Sequence, residues 1–98
     1  MGLPATRIDD QDLVHCSQPV RAQGTATVIV NGRLWSCMTH HNAPHLKPSG
    51  DTCTVHTAPI CKGSKNVIVE GLPAGKLDLP IAGCTFTCKG SPNVIIGG

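Results

Sequence analysis

Short β-branched runs bounded by glycine recur along this chain: Val28-Ile-Val30, Val67-Ile-Val69 and Val94-Ile-Ile96. Each predicts a strand, because β-branched side chains suit a pleated surface and glycine punctuates the run. Each is preceded by Gly-Thr/Ser-x-Thr/Asn, a turn signal. Before each turn lies a second short strand candidate, at 19–23, 59–62 and 85–89. The pattern therefore predicts three β-hairpins. No segment sustains ten residues of helical periodicity, and Pro and Gly are scattered throughout, so the whole chain reads as all-β.

The runs belong to longer copies of one phrase. Gly24-Thr-Ala-Thr-Val-Ile-Val-Asn-Gly32, Gly63-Ser-Lys-Asn-Val-Ile-Val-Glu-Gly71 and Gly90-Ser-Pro-Asn-Val-Ile-Ile-Gly-Gly98 align without gaps. A second phrase keeps step: Gly2-Leu-Pro-Ala-Thr-Arg-Ile-Asp-Asp10 matches Gly71-Leu-Pro-Ala-Gly-Lys-Leu-Asp-Leu79. Repeats of this kind say that one small unit was built three times and closes on itself. The strand cores begin 39 and then 27 residues apart. The extra length lies in 37–56, a long loop that holds four of the five histidines. Long loops inside small domains are usually functional. The expected organisation is one domain over 1–98, with hairpin repeats around 15–32, 56–71 and 84–98. The third hairpin is expected to end at Gly98, leaving no appended domain.

Composition makes the core thin. The 98 residues include one Trp, one Phe and no Tyr, and aromatics supply much of an ordinary core's burial. A small domain of this kind needs a staple, and six Cys and five His are the raw material. A net charge of +2, with no basic stripe interleaved with aromatics, leaves no footprint for nucleic acid. No apolar run approaches the roughly 20 residues that span a bilayer, and no leader-like segment opens the chain. The chain is therefore expected to be made in the cytoplasm, where disulfides are rare and Cys/His clusters more often bind metal. Met1-Gly2-Leu-Pro-Ala-Thr6 fits a loose myristoylation pattern. The same Gly-Leu-Pro-Ala at 71–74 argues against that use.

The repeat also selects among the histidines. Thirteen residues after Gly2, Gly32 and Gly71 stand His15, His45 and Cys84. Equivalent positions in a pseudo-threefold object lie around one axis, so these three donors should converge. The nearest fourth is His56, with Cys53 in Cys53-x-x-His56 as its main rival and His41 as another. Three imidazoles and a thiolate suit Zn²⁺, and Fe²⁺ accepts a similar set. Four protein ligands close the shell, which argues for a structural ion contributing on the order of 10 kcal/mol to folding. His40 and His41 occupy no repeat-equivalent donor position and read as solvated. Cys16, Cys37, Cys61 and Cys88 read as small buried apolar residues. Arg7 and Lys76 recur at matched positions, as do Asp9 and Asp78, as local ion pairs or solvated loop charges.

With these residues in place, the chain resembles the PAAR family, the proline-alanine-alanine-arginine repeat proteins that tip contractile injection machines. The resemblance rests on Pro4-Ala-Thr-Arg7 and Pro73-Ala-Gly-Lys76, the Asp two residues after each basic position, and the three Gly-(Ser/Thr)-x-x-Val-Ile-(Val/Ile) segments. Val14-His-Cys-Ser17, Pro44-His-Leu46, Cys53-x-x-His56-Thr-Ala-Pro-Ile60 and Ile81-Ala-Gly-Cys-Thr85 are closest to the contractile phage tail type. The middle repeat departs, with Leu34-Trp-Ser-Cys37 and Thr39 at the matching places. The resemblance implies a cone folded around a tetrahedral metal near its apex. Its base would sit, as a monomer, on a trimeric β-helical spike, with transient contact to a target cell envelope and no small-molecule substrate. Two other classes compete. A small zinc-dependent hydrolytic enzyme needs an open metal position and a nearby acid or base, and no acidic residue lies within 37–50. A disulfide-stapled secreted binding module could use the six Cys.

Overall fold

A computed structural model of the chain describes residues 2–97; Met1 of the myristoylation pattern and Gly98 of the third repeat lie outside the described residues. The described residues are all-β, and none is helical. The strands are β1 (Leu3–Pro4), β2 (Ile29–Val30), β3 (Arg33–Leu34), β4 (His45–Ser49), β5 (Thr52–His56), β6 (Ile68–Val69), β7 (Leu72–Pro73) and β8 (Ile95–Ile96). They form four antiparallel pairs: β1 with β8, β2 with β3, β4 with β5, and β6 with β7.

Three of these pairs repeat one another. Ile29 faces Leu34, Ile68 faces Pro73, and Ile95 faces Pro4. The contacts around them repeat too: Thr25, Ser64 and Ser91 donate their backbone N–H to Trp35, Ala74 and Ala5. Trp35, Ala74 and Ala5 in turn donate to Val28, Val67 and Val94. The hydroxyl position after each opening glycine organises the turn. Ser64 Oγ accepts from the N–H of Asn66 and Val67, and Ser91 Oγ from Asn93 and Val94. Thr25 instead donates to the Val28 carbonyl. The glycine itself must be bare: a Cβ on Gly90 would stand 2.5 Å from the Ala5 carbonyl oxygen.

The pairing differs from the hairpins expected from the sequence. Each Val-Ile-Val strand pairs with the phrase that follows its closing glycine, or, for β8, with the equivalent phrase at the start of the chain. The segments before the turns go elsewhere. Val20 and Arg21 bridge Gln11 and Asn42, Pro59 and Ile60 bridge His41 and Ile81, and Phe86 and Thr87 bridge Pro80 and Asp12. These six bridges close a ring in which each short segment touches the next. The reason is local: the Ser/Thr turn leads the chain straight past the preceding segment, whereas the closing Gly32 and Gly71, with φ of 81° and 79°, fold it back.

Two apolar clusters follow from this plan. Ala5, Val30, Trp35, Cys37, Val69, Ala74 and Ile96 pack beneath the strand pairs. Ala58, Ile60, Leu79 and Ile81 fill part of the ring, with Cys84 against them. Trp35, which replaces alanine in the middle repeat, stays buried because its Nε1–H donates to the Gly75 carbonyl at 2.7 Å. The other part of the ring is filled by a fully buried Arg21–Asp12 ion pair at 2.8 Å. The loop expected over 37–56 is not structureless: it contains β4 and β5, the longest strand pair of the chain.

Candidate metal centre

Four side chains of the chain converge beside the ring. His15, His45, His56 and Cys84 each offer one donor atom, and all four atoms lie within 4.8 Å of one another. They come from three places. His15 sits on the arm that leaves the ring after Asp12, and Cys84 on the turn after Ile81. His45 and His56 open and close the β4–β5 hairpin, directly opposite each other in its register. A cross-strand pair holds its side chains on one face, so the hairpin delivers two imidazoles together.

The spacing fits a small tetrahedral ion. His15 Nε2 is 3.0 Å from His45 Nε2. The Cys84 Sγ lies 3.2 Å from His45 Nε2 and 3.1 Å from His15 Nε2. A tetrahedron with bonds of about 2.1 Å to nitrogen and about 2.3 Å to sulfur has edges of about 3.4–3.6 Å. The three edges among His15, His45 and Cys84 differ from this by a few tenths of an ångström, and His56 stands within 4.8 Å of all three.

Proton bookkeeping points the same way. His45 Nδ1 is 2.8 Å from the Ala43 carbonyl, so it carries a hydrogen, and in the tautomer that binds a metal Nε2 presents its lone pair to the cluster. Cys84 and His15 can then supply at most two protons to three mutual contacts. His56 Nε2 is buried and has no partner, a position that a cation fills naturally. Burial first, and with it the nearby Lys47 ammonium, holds His15 and His56 below the usual imidazole range. Both rings are thus neutral donors near pH 7. Burial pushes the Cys84 thiol up, while the Asn42 side chain pulls it the other way. Asn42 Nδ2 donates to Cys84 Sγ at 3.7 Å and to Asp12 at 3.2 Å. The Asn42 Oδ1 accepts from the Ala58 N–H at 2.9 Å, which fixes the amide's orientation.

Neither rival donor joins the cluster. Residues three apart on a strand point to opposite faces, so Cys53 faces away from His56. It forms a disulfide with Cys16 instead. His41 takes part through its backbone, in the ring. His40 is not simply solvated, since its Nδ1 accepts the Cys37 N–H at 2.8 Å. Of the cysteines expected to be buried and apolar, Cys37 is, with its thiol pushed by burial up to about 11. Cys16 is disulfide-bonded, Cys61 is exposed and Cys88 half-buried. Arg7 pairs with Asp10, not Asp9. Asp9, Thr39 and Asp78 share another role: φ of 72°, 78° and 62° makes each the left-handed residue of the same turn.

Sequence reasoning passed over Asp12, Arg21 and Asn42. The signal was available, because Asp12 and Asn42 stand three residues before His15 and His45, and Ile81 three before Cys84. Compared with models of known protein families and with curated proteins, the chain matches none.

Proposed function

We propose that this chain is the metal-stabilised tip of a contractile injection machine, on a phage tail or a type VI secretion spike. In this reading it is a cone of three pseudo-threefold repeats that caps a trimeric β-helical spike and helps it breach a target cell envelope. One observation carries the proposal: a single chain makes the same strand contact three times and leaves one isoleucine exposed on each copy. Ile29, Ile68 and Ile95 are 61%, 60% and 53% exposed. Three like edges on one monomer suit three identical subunits, and an open end of a β-helix exposes backbone groups that need covering.

The donor cluster supports a structural ion. When bound, the metal would cross-link the His15 arm, the β4–β5 hairpin and the Cys84 turn. The set favours Zn²⁺, with Fe²⁺ as the alternative. Four protein donors leave no position for a reactive water, which separates this proposal from a zinc hydrolase.

The test is binding to a purified trimeric β-helical spike protein of a contractile injection machine. One copy of the chain is expected to associate with each trimer, and Ile29→Asp, Ile68→Asp and Ile95→Asp together to abolish association while metal content stays at one ion per chain. Failure of the parent to bind, or equal binding by the triple variant, would sink the proposal. A second reading, a secreted binding module, draws on the Cys16–Cys53 disulfide. It predicts no association with the spike and a fold that survives chelation.

A further inference from the structure

The Cys16–Cys53 disulfide has no part in the donor set, yet it joins the pieces that carry it. Cys16 follows His15 on the arm between the ring residues Asp12 and Val20. Cys53 lies on β5, three residues before His56 and on the hairpin face opposite the donors. Among the described residues, apart from this bridge and the His15–His45 contact inside the donor cluster itself, one hydrogen bond ties the arm to the hairpin: the Leu46 N–H donates to Ser17 Oγ at 2.8 Å, on the exposed surface. The arm otherwise bonds to the body at its root. Leu13 N–H reaches the Phe86 carbonyl, and the Gln18 side chain reaches the carbonyls of Asp12 and Pro19. The bridge is the one covalent tie between the arm that carries His15 and the hairpin that carries His45 and His56.

We propose that the Cys16–Cys53 disulfide is a redox latch on the metal centre, closed when oxidised and open when reduced. This rests on the proposal that the four donors bind a metal. The bridge is open to small thiols because Cys53 is exposed and Cys16 is half-buried. A thiolate of the glutathione class attacks one sulfur of the bridge, breaking the S–S bond and giving a mixed disulfide and one protein thiolate. A second thiol resolves the mixed disulfide. Cys16 and Cys53 end as thiols, and the two small thiols end as their own disulfide. Closure is the reverse, with oxidised glutathione taking up the two electrons and two protons. The chain would then load metal in a reducing compartment and lock it once the assembled particle reaches an oxidising one.

The experiment uses the full chain loaded with Zn²⁺, and follows release to a chromogenic chelator with and without a non-chelating phosphine reductant. The oxidised chain should release Zn²⁺ more slowly by about tenfold or more, the scale on which a lost supporting contact weakens a metal site. Cys16→Ser with Cys53→Ser should release at the reduced rate and ignore the reductant. Equal rates in both redox states would overturn the latch. So would alkylation, after denaturation without reductant, that finds no cysteines protected. His45→Ala separates the two proposals. If the parent takes up no Zn²⁺ in either state, or His45→Ala binds as tightly as the parent, the metal reading itself fails. If Zn²⁺ binds through His45 but release ignores redox state, only the latch fails.

Discussion

The strand-pair end of this molecule and the end that carries the four candidate donors, its metal end in the proposed reading, are built from the same three repeats and held together by opposite means. At the strand-pair end, copies stay alike. Ala5, Trp35 and Ala74 make the same pair of backbone hydrogen bonds, above one apolar cluster. At the metal end the copies have diverged. Equivalent ring positions hold Asp12, Asn42 and Ile81, and likewise Arg21, Ile60 and Thr87, all buried. Backbone contacts repeat because they do not depend on side chains; a ligand sphere and its support need different side chains at equivalent places. The comparison predicts that damage at the metal end costs chemistry and fold together, while damage at the strand-pair end costs packing alone.

The largest effect should follow His45→Ala or removal of the metal. A closed structural site contributes on the order of 10 kcal/mol, against a total stability of about 5–15 kcal/mol for a domain. Loss of the cooperative melt in chelator is expected, whereas Ile29→Ala, on an exposed strand position, should melt within about 0.5 kcal/mol of the parent. A chelated chain that melts like the loaded one would erase the contrast between the two ends.

Next comes the buried ion pair. Burial raises the Asp12 carboxyl and lowers the Arg21 guanidinium in spite of their contact, so desolvation outweighs attraction. Arg21→Met leaves Asp12 charged and unpaired, at a cost of about 3–5 kcal/mol. Asp12→Leu with Arg21→Met should recover most of that loss in urea unfolding, because Ile60 and Ile81 already fill the equivalent positions elsewhere in the ring. No recovery would mean that the ring needs the charges themselves. At the strand-pair end, Gly75→Ala should cost about 2–4 kcal/mol, since the new Cβ would stand 1.7 Å from the Ser36 carbonyl oxygen, and that oxygen belongs to backbone that cannot turn away. Thermal melting of the loaded variant checks this, and an unchanged midpoint would show that the repeats are looser than their contacts suggest.

How much could be read before the structure follows the same division. The Val-Ile-Val strands and the offset that groups His15, His45 and Cys84 were legible, because both depend on what the copies share. The partner of each strand was not legible. Period-two patterning marks a strand without saying which neighbour it meets; left-handed turns at Asn31-Gly32 and Glu70-Gly71 send β2 and β6 forward, while β8 pairs with β1 at the start of the chain. The Arg21–Asp12–Asn42 network was missed because it exists only where the repeats differ. The disulfide was missed for a different reason. Cys53-x-x-His56 looks like a ligand pair on a loop, but on a strand the same spacing turns the two side chains apart.

The gentlest perturbation, a change of pH, is the sharpest check on the donor set. Burial, and the charges around them, lower the proton affinity of His15 and His56. The folded chain therefore holds fewer protons than the unfolded chain in the window below about pH 6.5, the ordinary imidazole value. With that sign, their contribution to stability is complete above about pH 6.5 and is lost as pH falls through the lowered values. Metal displacement runs the same way, since protons must take each imidazole lone pair and the Cys84 thiolate before the ion leaves. Zn²⁺ should stay bound from pH 7.5 down to about pH 6.5 and be released below it, with melting temperature falling over the same interval and no comparable change in an Ile29→Ala control beyond that of the parent. Release that begins above pH 7 would mean that the imidazoles are ordinary and exposed, and that the metal end is held by something other than these four donors.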